Sequence, residues 1–208
     1  MTYWDQVARD FDSLYDPDRR VAYLLNQFFR RGLFQRTEIA CEVIRQVGAP
    51  SILDVGCGSG RNISSFLESG AREVTGIDSA HEMLELARQI SLPWRDRVRF
   101  LEADFLSASI EESFDVVVAL GVFDYLHEEA ATFLRKMRRL ASRAVVLSLP
   151  GRSLLRMPLR AWRYRRSGVN VHFYPFNEIA DLCQQAGFAS FAIRRVHSSG
   201  YVVVGWIK

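Results

Sequence analysis

Acidic residues are absent between Glu129 and Glu178, and that gap holds eleven basic residues, nearly all of them arginine. Outside it, sixteen basic residues stand against twenty-four acidic ones, so the net charge of +3 is a local property of one stretch and not of the whole surface. Cysteine is scarce. Cys41, Cys57 and Cys183 form no CxxC or other metal-ligand spacing, so no metal is expected. An odd count with no signal peptide argues for a reducing, cytoplasmic setting. No apolar run approaches the length of a membrane span, which excludes a spanning helix but leaves peripheral membrane contact compatible. Internal repeats and low-complexity tracts are lacking. So are a Gly-x-Ser-x-Gly elbow, a P-loop lysine and an HExxH pair, which removes the commonest hydrolase, nucleotidase and zinc-protease readings.

What is present is enough apolar content, 49% of 208 residues, for one domain with a sizeable core. From residue 51 onward short apolar runs alternate with amphipathic segments, the pattern of a mostly parallel sheet covered by helices. The runs predict strands over 51–55, 73–77, 98–102, 114–120, 144–149, 189–196 and 201–207. Helices are predicted over 62–68, 80–89, 128–140 and 178–186, the last with Asn177 as its cap and Gly187 as its stop. Only His197 to Gly200 separates the last two strands. That gap is too short for a crossover helix, so they should form an antiparallel hairpin. Residues 1–48 read as a helical cap, with Val21, Leu24, Leu25 and Phe28, and Ile39, Ala40, Val43, Ile44 and Val47, at helical spacing. Residues 150–174 form a basic insert.

The most informative stretch is Ser51-Ile-Leu-Asp-Val-Gly-Cys-Gly-Ser-Gly-Arg61, followed by Gly76-Ile77-Asp78. An apolar strand that ends in alternating glycines lets a ligand approach bare backbone. A carboxylate ending the next strand is placed to meet a ribose diol. These residues resemble the class I S-adenosylmethionine-dependent methyltransferases, whose signature is filled by Leu53, Asp54, Val55, Gly56, Gly58 and Gly60. In length and motif order the chain is similar to the quinone-precursor and magnesium-protoporphyrin O-methyltransferases. The resemblance implies a Rossmann-like α/β fold: a seven-stranded sheet with helices on both faces and a C-terminal antiparallel hairpin. It also implies S-adenosyl-L-methionine as cofactor.

By the same resemblance Asp54 orients the methionine end of the cofactor, and Asp78 holds the ribose hydroxyls. Asp104, after the third strand, would accept the adenine amino group, with Phe105 flanking the ring. Ser79 and Met83 would neighbour the adenine, and Leu120 would line the site at the end of the fourth strand. Two of these have plainer readings. Asp104 could simply cap a helix, and Met83 could be a core side chain.

Acceptor chemistry is expected in the segment Ala119 to His127. The similar O-methyltransferases commonly carry histidine where Tyr125 stands, so Tyr125, Asp124 and His127 compete for any proton-handling role. His127 could equally be a solvated residue opening a helix. The segment lacks the Asn/Asp-Pro-Pro-aromatic motif of base and glutamine N-methylating enzymes, which weighs against a nucleic-acid substrate.

In the insert, Arg152, Arg156, Arg160, Arg163, Arg165 and Arg166 interleave with Leu154, Leu155, Met157, Leu159, Trp162 and Tyr164. Pro158 favours two short pieces over one helix. This insert reads as a lid contacting an acidic, partly apolar acceptor through Arg156, Arg160 and Trp162. It also reads as a patch for anionic lipid or nucleic acid, or as a partner for the acidic amino-terminal stretch. Tyr3, Trp4, Phe11 and Tyr15 could close over the site or merely pack, with Tyr15 the candidate for substrate contact.

The sequence therefore predicts methyl transfer to an oxygen, less favourably a carbon, of a small molecule. The rivals are a nucleic-acid or protein methyltransferase and a cofactor-binding regulator without turnover. Oligomeric state is left open.

Overall fold

A computed structural model describes residues 31–151, 171–197 and 200–207. In chain order the elements are α1 (Arg31–Val47), β1 (Ser51–Val55), α2 (Arg61–Glu68), β2 (Glu73–Asp78), α3 (His81–Ile90), β3 (Val98–Glu102), β4 (Phe114–Leu120), α4 (Ala130–Leu140), β5 (Ala141–Pro150), α5 (Phe176–Gln185), β6 (Ser190–Val196) and β7 (Gly200–Trp206). Short 3-10 turns lie over Leu92–Arg97 and Phe123–Tyr125.

The seven strands form one sheet of order β3-β2-β1-β4-β5-β7-β6. β1 through β5 pair in parallel, whereas β7 runs antiparallel to both β5 and β6. The expected hairpin is therefore present, with β7 between its neighbours. No helix among the described residues is long and apolar enough to cross a membrane, and the three cysteines are buried free thiols.

Strand alternation separates two cores. Leu53 and Val55 of β1 and Val117 and Ala119 of β4 face α4 and α5, where Phe133, Leu134, Met137, Ile179 and Cys183 are buried. Ile52, Val116 and Val118 point the other way, onto Ile44 and Val47 of α1 and Ile63 and Phe66 of α2. The even-numbered side of β1 thus carries Asp54 toward the α1 side of the sheet. Fully buried residues such as Phe66 and Leu134 are the anchors whose truncation to alanine typically costs about 2–5 kcal/mol.

Element ends depart from the sequence expectations in informative places. α5 begins at Phe176, and Pro175, in extended conformation, occupies the cap position. Asn177 is therefore inside the first turn and is not the cap: proline's fixed φ and missing amide make it an inexpensive helix entry, so no side-chain cap is needed. Gly187, at φ 85°, does end the helix, and its N–H donates to Gln184 O while that of Phe188 donates to Cys183 O. β5 starts at Ala141, directly after α4, because Ala141 pairs with Phe114 before a register shift in β4.

Candidate active site

The carboxyl ends of β1, β2 and β4 converge on the glycine turn. Gly56, Gly58 and Gly60 all have positive φ, of 67°, 53° and 74°, but the turn requires them for different reasons. A Cβ on Gly56 would collide with Val122 Cγ2, and one on Gly60 would stand 3.0 Å from Ala87 Cβ on α3. At Gly58 nothing lies within 4 Å. The first and last glycines permit close packing, and the middle one leaves open space over bare backbone.

Asp78 fastens this turn. Its Oδ2 accepts the Gly58 N–H (2.8 Å) and its Oδ1 accepts the Ala80 N–H (3.0 Å). Gly56 N–H also donates to Ile77 O at 2.8 Å. Asp78 is half-buried, and each of its oxygens has lone-pair capacity for a second donor.

Asp54 is 1% exposed, and its Oδ2 has no hydrogen-bond partner among the described residues. Burial pushes its carboxyl up to about 8; the negative charge of Asp78 adds to the rise, and Arg36 opposes it. An orphaned carboxylate oxygen beside a second carboxylate and an open glycine backbone suits a ligand that brings positive charge and hydroxyl donors. S-adenosylmethionine has both, so the donor set fits that group.

Arg36 had no local sequence signal. It reaches from α1 to β4, where a Cβ on Gly121 would stand 2.9 Å from its Nη1. Gly121, at φ 91°, admits the guanidinium next to Asp54. The Thr37 hydroxyl lies 2.9 Å from Asn62 Oδ1, tying α1 to the helix that follows the glycine turn.

The predicted adenine end is mixed. Asp104 is exposed, and its Oδ1 accepts the Ser107 N–H at 2.9 Å, the local turn-capping alternative. Ala103 N–H donates to Asp78 O, which places this loop beside the β2 carboxylate. Phe105 does not fit a ring-flanking role: it is 5% exposed and packs on Phe133 with centroids 4.6 Å apart. The core claims it because the turn after β3 lies against α4, where Lys136 Nζ donates to the carbonyls of Phe105, Leu106 and Ala108. Ser79 is exposed. Met83 is buried with Ala80 in a small separate cluster, as the packing alternative for it holds.

On the acceptor side, Leu120 is buried at the end of β4, and the following turn carries Asp124, which is buried, and Tyr125, which is half-buried. His127 is exposed. A second segment, not foreseen from the sequence, joins them. Tyr174 N–H donates to Pro150 O (2.8 Å) and His172 N–H donates to Asp124 O (3.0 Å), so residues 172–174 cross the end of β5 beside the β4 turn. There the His172 ring lies 4.2 Å from His127 and 4.4 Å from Tyr174. His172 Nε2 and Glu178 Oε1 are 2.9 Å apart, and the Tyr174 hydroxyl donates to Leu126 O. Burial, with the charges of Glu178 and Asp124, holds the Tyr174 phenol far above its usual range, so it stays protonated.

The other substrate candidates, Tyr15, Arg156, Arg160 and Trp162, lie outside the described residues. A hollow of about 710 Å³ between residues 106–113 and α4 contains none of the expected site residues. Among the described residues no cluster of metal-binding side chains occurs.

Residues 52–143 match the family model described as a methyltransferase domain. Those residues form a methyltransferase domain, and the glycine turn within them fits S-adenosylmethionine as methyl donor. The matched region spans β1 through the start of β5 and so contains the glycine turn, Asp54, Asp78 and the β4 turn.

This methyltransferase is 37% identical over 93 residues to the tRNA U34 carboxymethyltransferase of Idiomarina loihiensis, a match covering 43% of this chain and 28% of that protein. It is 27% identical over 201 residues to the trans-aconitate 2-methyltransferase of Acidovorax ebreus, covering 86% of this chain and 76% of the relative. Among solved structures, magnesium protoporphyrin IX methyltransferase from Synechocystis PCC 6803 superposes with a TM-score of 0.70 at 20% identity, over 86% of this chain and 85% of that one. That likeness establishes the Rossmann-like methyltransferase fold, including the antiparallel carboxy-terminal strands.

Proposed function

We propose that this domain methylates an oxygen of a small, acidic and partly apolar organic molecule. The observation that carries the reading is the alignment, over 86% of the chain, with a relative named for methyl transfer to trans-aconitate, a small polyacid. Two features support it. The half-buried Tyr125 and the apolar residues around it give the acceptor end a mixed surface, and the segment 150–174 supplies arginines in sequence next to β5.

The chain's own residues would work as follows. Asp54 and Asp78 would hold the donor, Asp78 through hydroxyl groups and Asp54 through electrostatic attraction at the methionine end, with Arg36 alongside for a carboxylate. The open face of Gly58 would let the donor lie on backbone. Bound there, S-adenosylmethionine supplies a methyl group on an electrophilic sulfonium. The protein's contribution is then mostly alignment of the acceptor oxygen, with a proton acceptor needed only where that oxygen arrives protonated.

The test is incubation with methyl-labelled S-adenosylmethionine and a small-molecule extract of the host, alongside its RNA and protein fractions. Mass spectrometry should find the label in a small product, as a methyl ester or methyl ether. Label confined to RNA or protein would overturn the reading in favour of a macromolecular acceptor.

A further inference from the structure

We propose that Asp54 couples donor binding to the release of one proton: the empty site holds it as a neutral acid, and the positive charge brought by S-adenosylmethionine turns it into a carboxylate. This rests on the placement of the donor's methionine end near Asp54 and adds to it a proton that leaves to water.

Geometry carries the first part of the argument. Asp54 sits inside the sheet, in register with Gly76 of β2 and Val118 of β4, and is 1% exposed. Water is not there to solvate a charge on it. Its Oδ2 has no hydrogen-bond partner among the described residues, so nothing in the protein takes the place of that water. The neighbouring strand ends in a second acid two residues beyond Gly76, and Asp78 already accepts the amides of Gly58 and Ala80. The two carboxyl groups are thus unequal by construction: Asp78 has donors for its charge, whereas the Oδ2 of Asp54 has none.

Charge balance carries the second part. The titratable and charged groups facing Asp54 are Asp78 from β2, Arg36 from α1 and Cys57 from the glycine turn; its β4 neighbour is the apolar Val118. Burial pushes the Cys57 thiol far up, so it stays neutral. Arg36 offsets one negative charge, and Asp78 supplies that one. A second carboxylate in the empty site is unbalanced, which is the direction in which burial and the Asp78 charge push Asp54, up to about 8 against the pull of Arg36. S-adenosylmethionine carries a sulfonium and an ammonium against a single carboxylate, a net positive charge. Inside the sheet such a charge is weakly screened, so it acts on Asp54 without having to touch Oδ2. Once Asp54 has given its proton to water, the filled site is balanced again.

By linkage, donor affinity then depends on pH. Below about 8 the empty protein must lose a proton to bind, so acidification weakens binding; above it the proton is already gone.

Calorimetry on the full chain counts the proton directly. S-adenosylmethionine is titrated at about pH 7 in phosphate and in Tris, whose ionisation enthalpies differ. About one proton should be released per donor bound, and between about pH 6 and 7, below the titration of the donor's own α-amine, the Kd should fall about tenfold. Asp54→Asn keeps the side chain's shape and removes its titration: proton release should vanish and the Kd should be flat over the same range. A second arm needs no variant. Methylthioadenosine, which lacks both positive charges, should bind wild type with no proton release. Donor binding without proton release in wild type, release that persists in Asp54→Asn, or equal release with methylthioadenosine would overturn the coupling while leaving the donor site standing. Absence of any S-adenosylmethionine binding would overturn the site, and the coupling with it.

Discussion

The donor and acceptor halves of the site are built in opposite ways. On the proposed donor side both carboxylates and the glycine turn lie within one strand-turn-helix-strand stretch, from Asp54 to Asp78, with Arg36 joining from α1, and the contacts to Asp78 are backbone amides on a carboxylate. On the acceptor side the contacts join residues about fifty positions apart: His172 with Asp124, and Tyr174 with Leu126. A donor common to many enzymes can be held by a local motif. The acceptor surface is assembled from loops between β4 and α5, where insertions and exchanges leave the sheet intact.

Breaking the donor half should have the largest effect. Asp78→Ala removes the acceptor for the Gly58 and Ala80 amides as well as the predicted ribose contact. Calorimetry should show S-adenosylmethionine binding weakened more than 100-fold; unchanged affinity would separate Asp78 from the donor site. Gly56→Ala probes the seam between the halves. A left-handed backbone and the collision with Val122 together should cost about 2–3 kcal/mol in urea unfolding. Pairing it with Val122→Ala should recover the steric part but not the backbone part, and full additivity of the two losses would show that no contact links turn and rim.

Asp54 gives a pH signature confined to the donor half. Its folded value near 8 exceeds that of an unfolded aspartate near 3.8, so the folded state binds the extra proton between those limits. Stability of the ligand-free protein should therefore fall as pH rises across that window, at a slope on the order of 1.4 kcal/mol per pH unit where the unfolded group is ionised and the folded one is not. Asp54→Asn should flatten the slope, and an identical pH dependence in the variant would contradict the burial argument. The smallest effect belongs to the acceptor half. Tyr174→Phe should cost about 1 kcal/mol through the lost hydrogen bond to Leu126 O, by thermal or chemical unfolding, and leave donor affinity alone.

The same division explains what was legible in the sequence. Strand patterning located all seven strands; in β1 and β4 the short continuous apolar runs report strands buried on both faces. The glycine spacing marked the turn because backbone conformation is local. Arg36 was invisible, since an arginine on an amphipathic helix has no spacing that distinguishes a buried guanidinium from a solvated one. His172 and Glu178 form a pair only because the chain after residue 170 returns over β5. Phe105 was misread from its place beside Asp104: the turn after β3 caps its own amides with Asp104 and turns the next side chain into the core. Asn177 lost the cap to Pro175 because proline solves the helix entry through its backbone.

The position of β7 has a consequence for folding. Although it is the last described element, it lies inside the sheet, hydrogen-bonded to β5 on one side and β6 on the other, with Val202, Val203 and Val204 buried. Until β7 is in place, β5 presents an uncovered edge. A chain lacking β7 would leave two unpaired edges inside the sheet, on β5 and on β6, and would be prone to pair with other chains there.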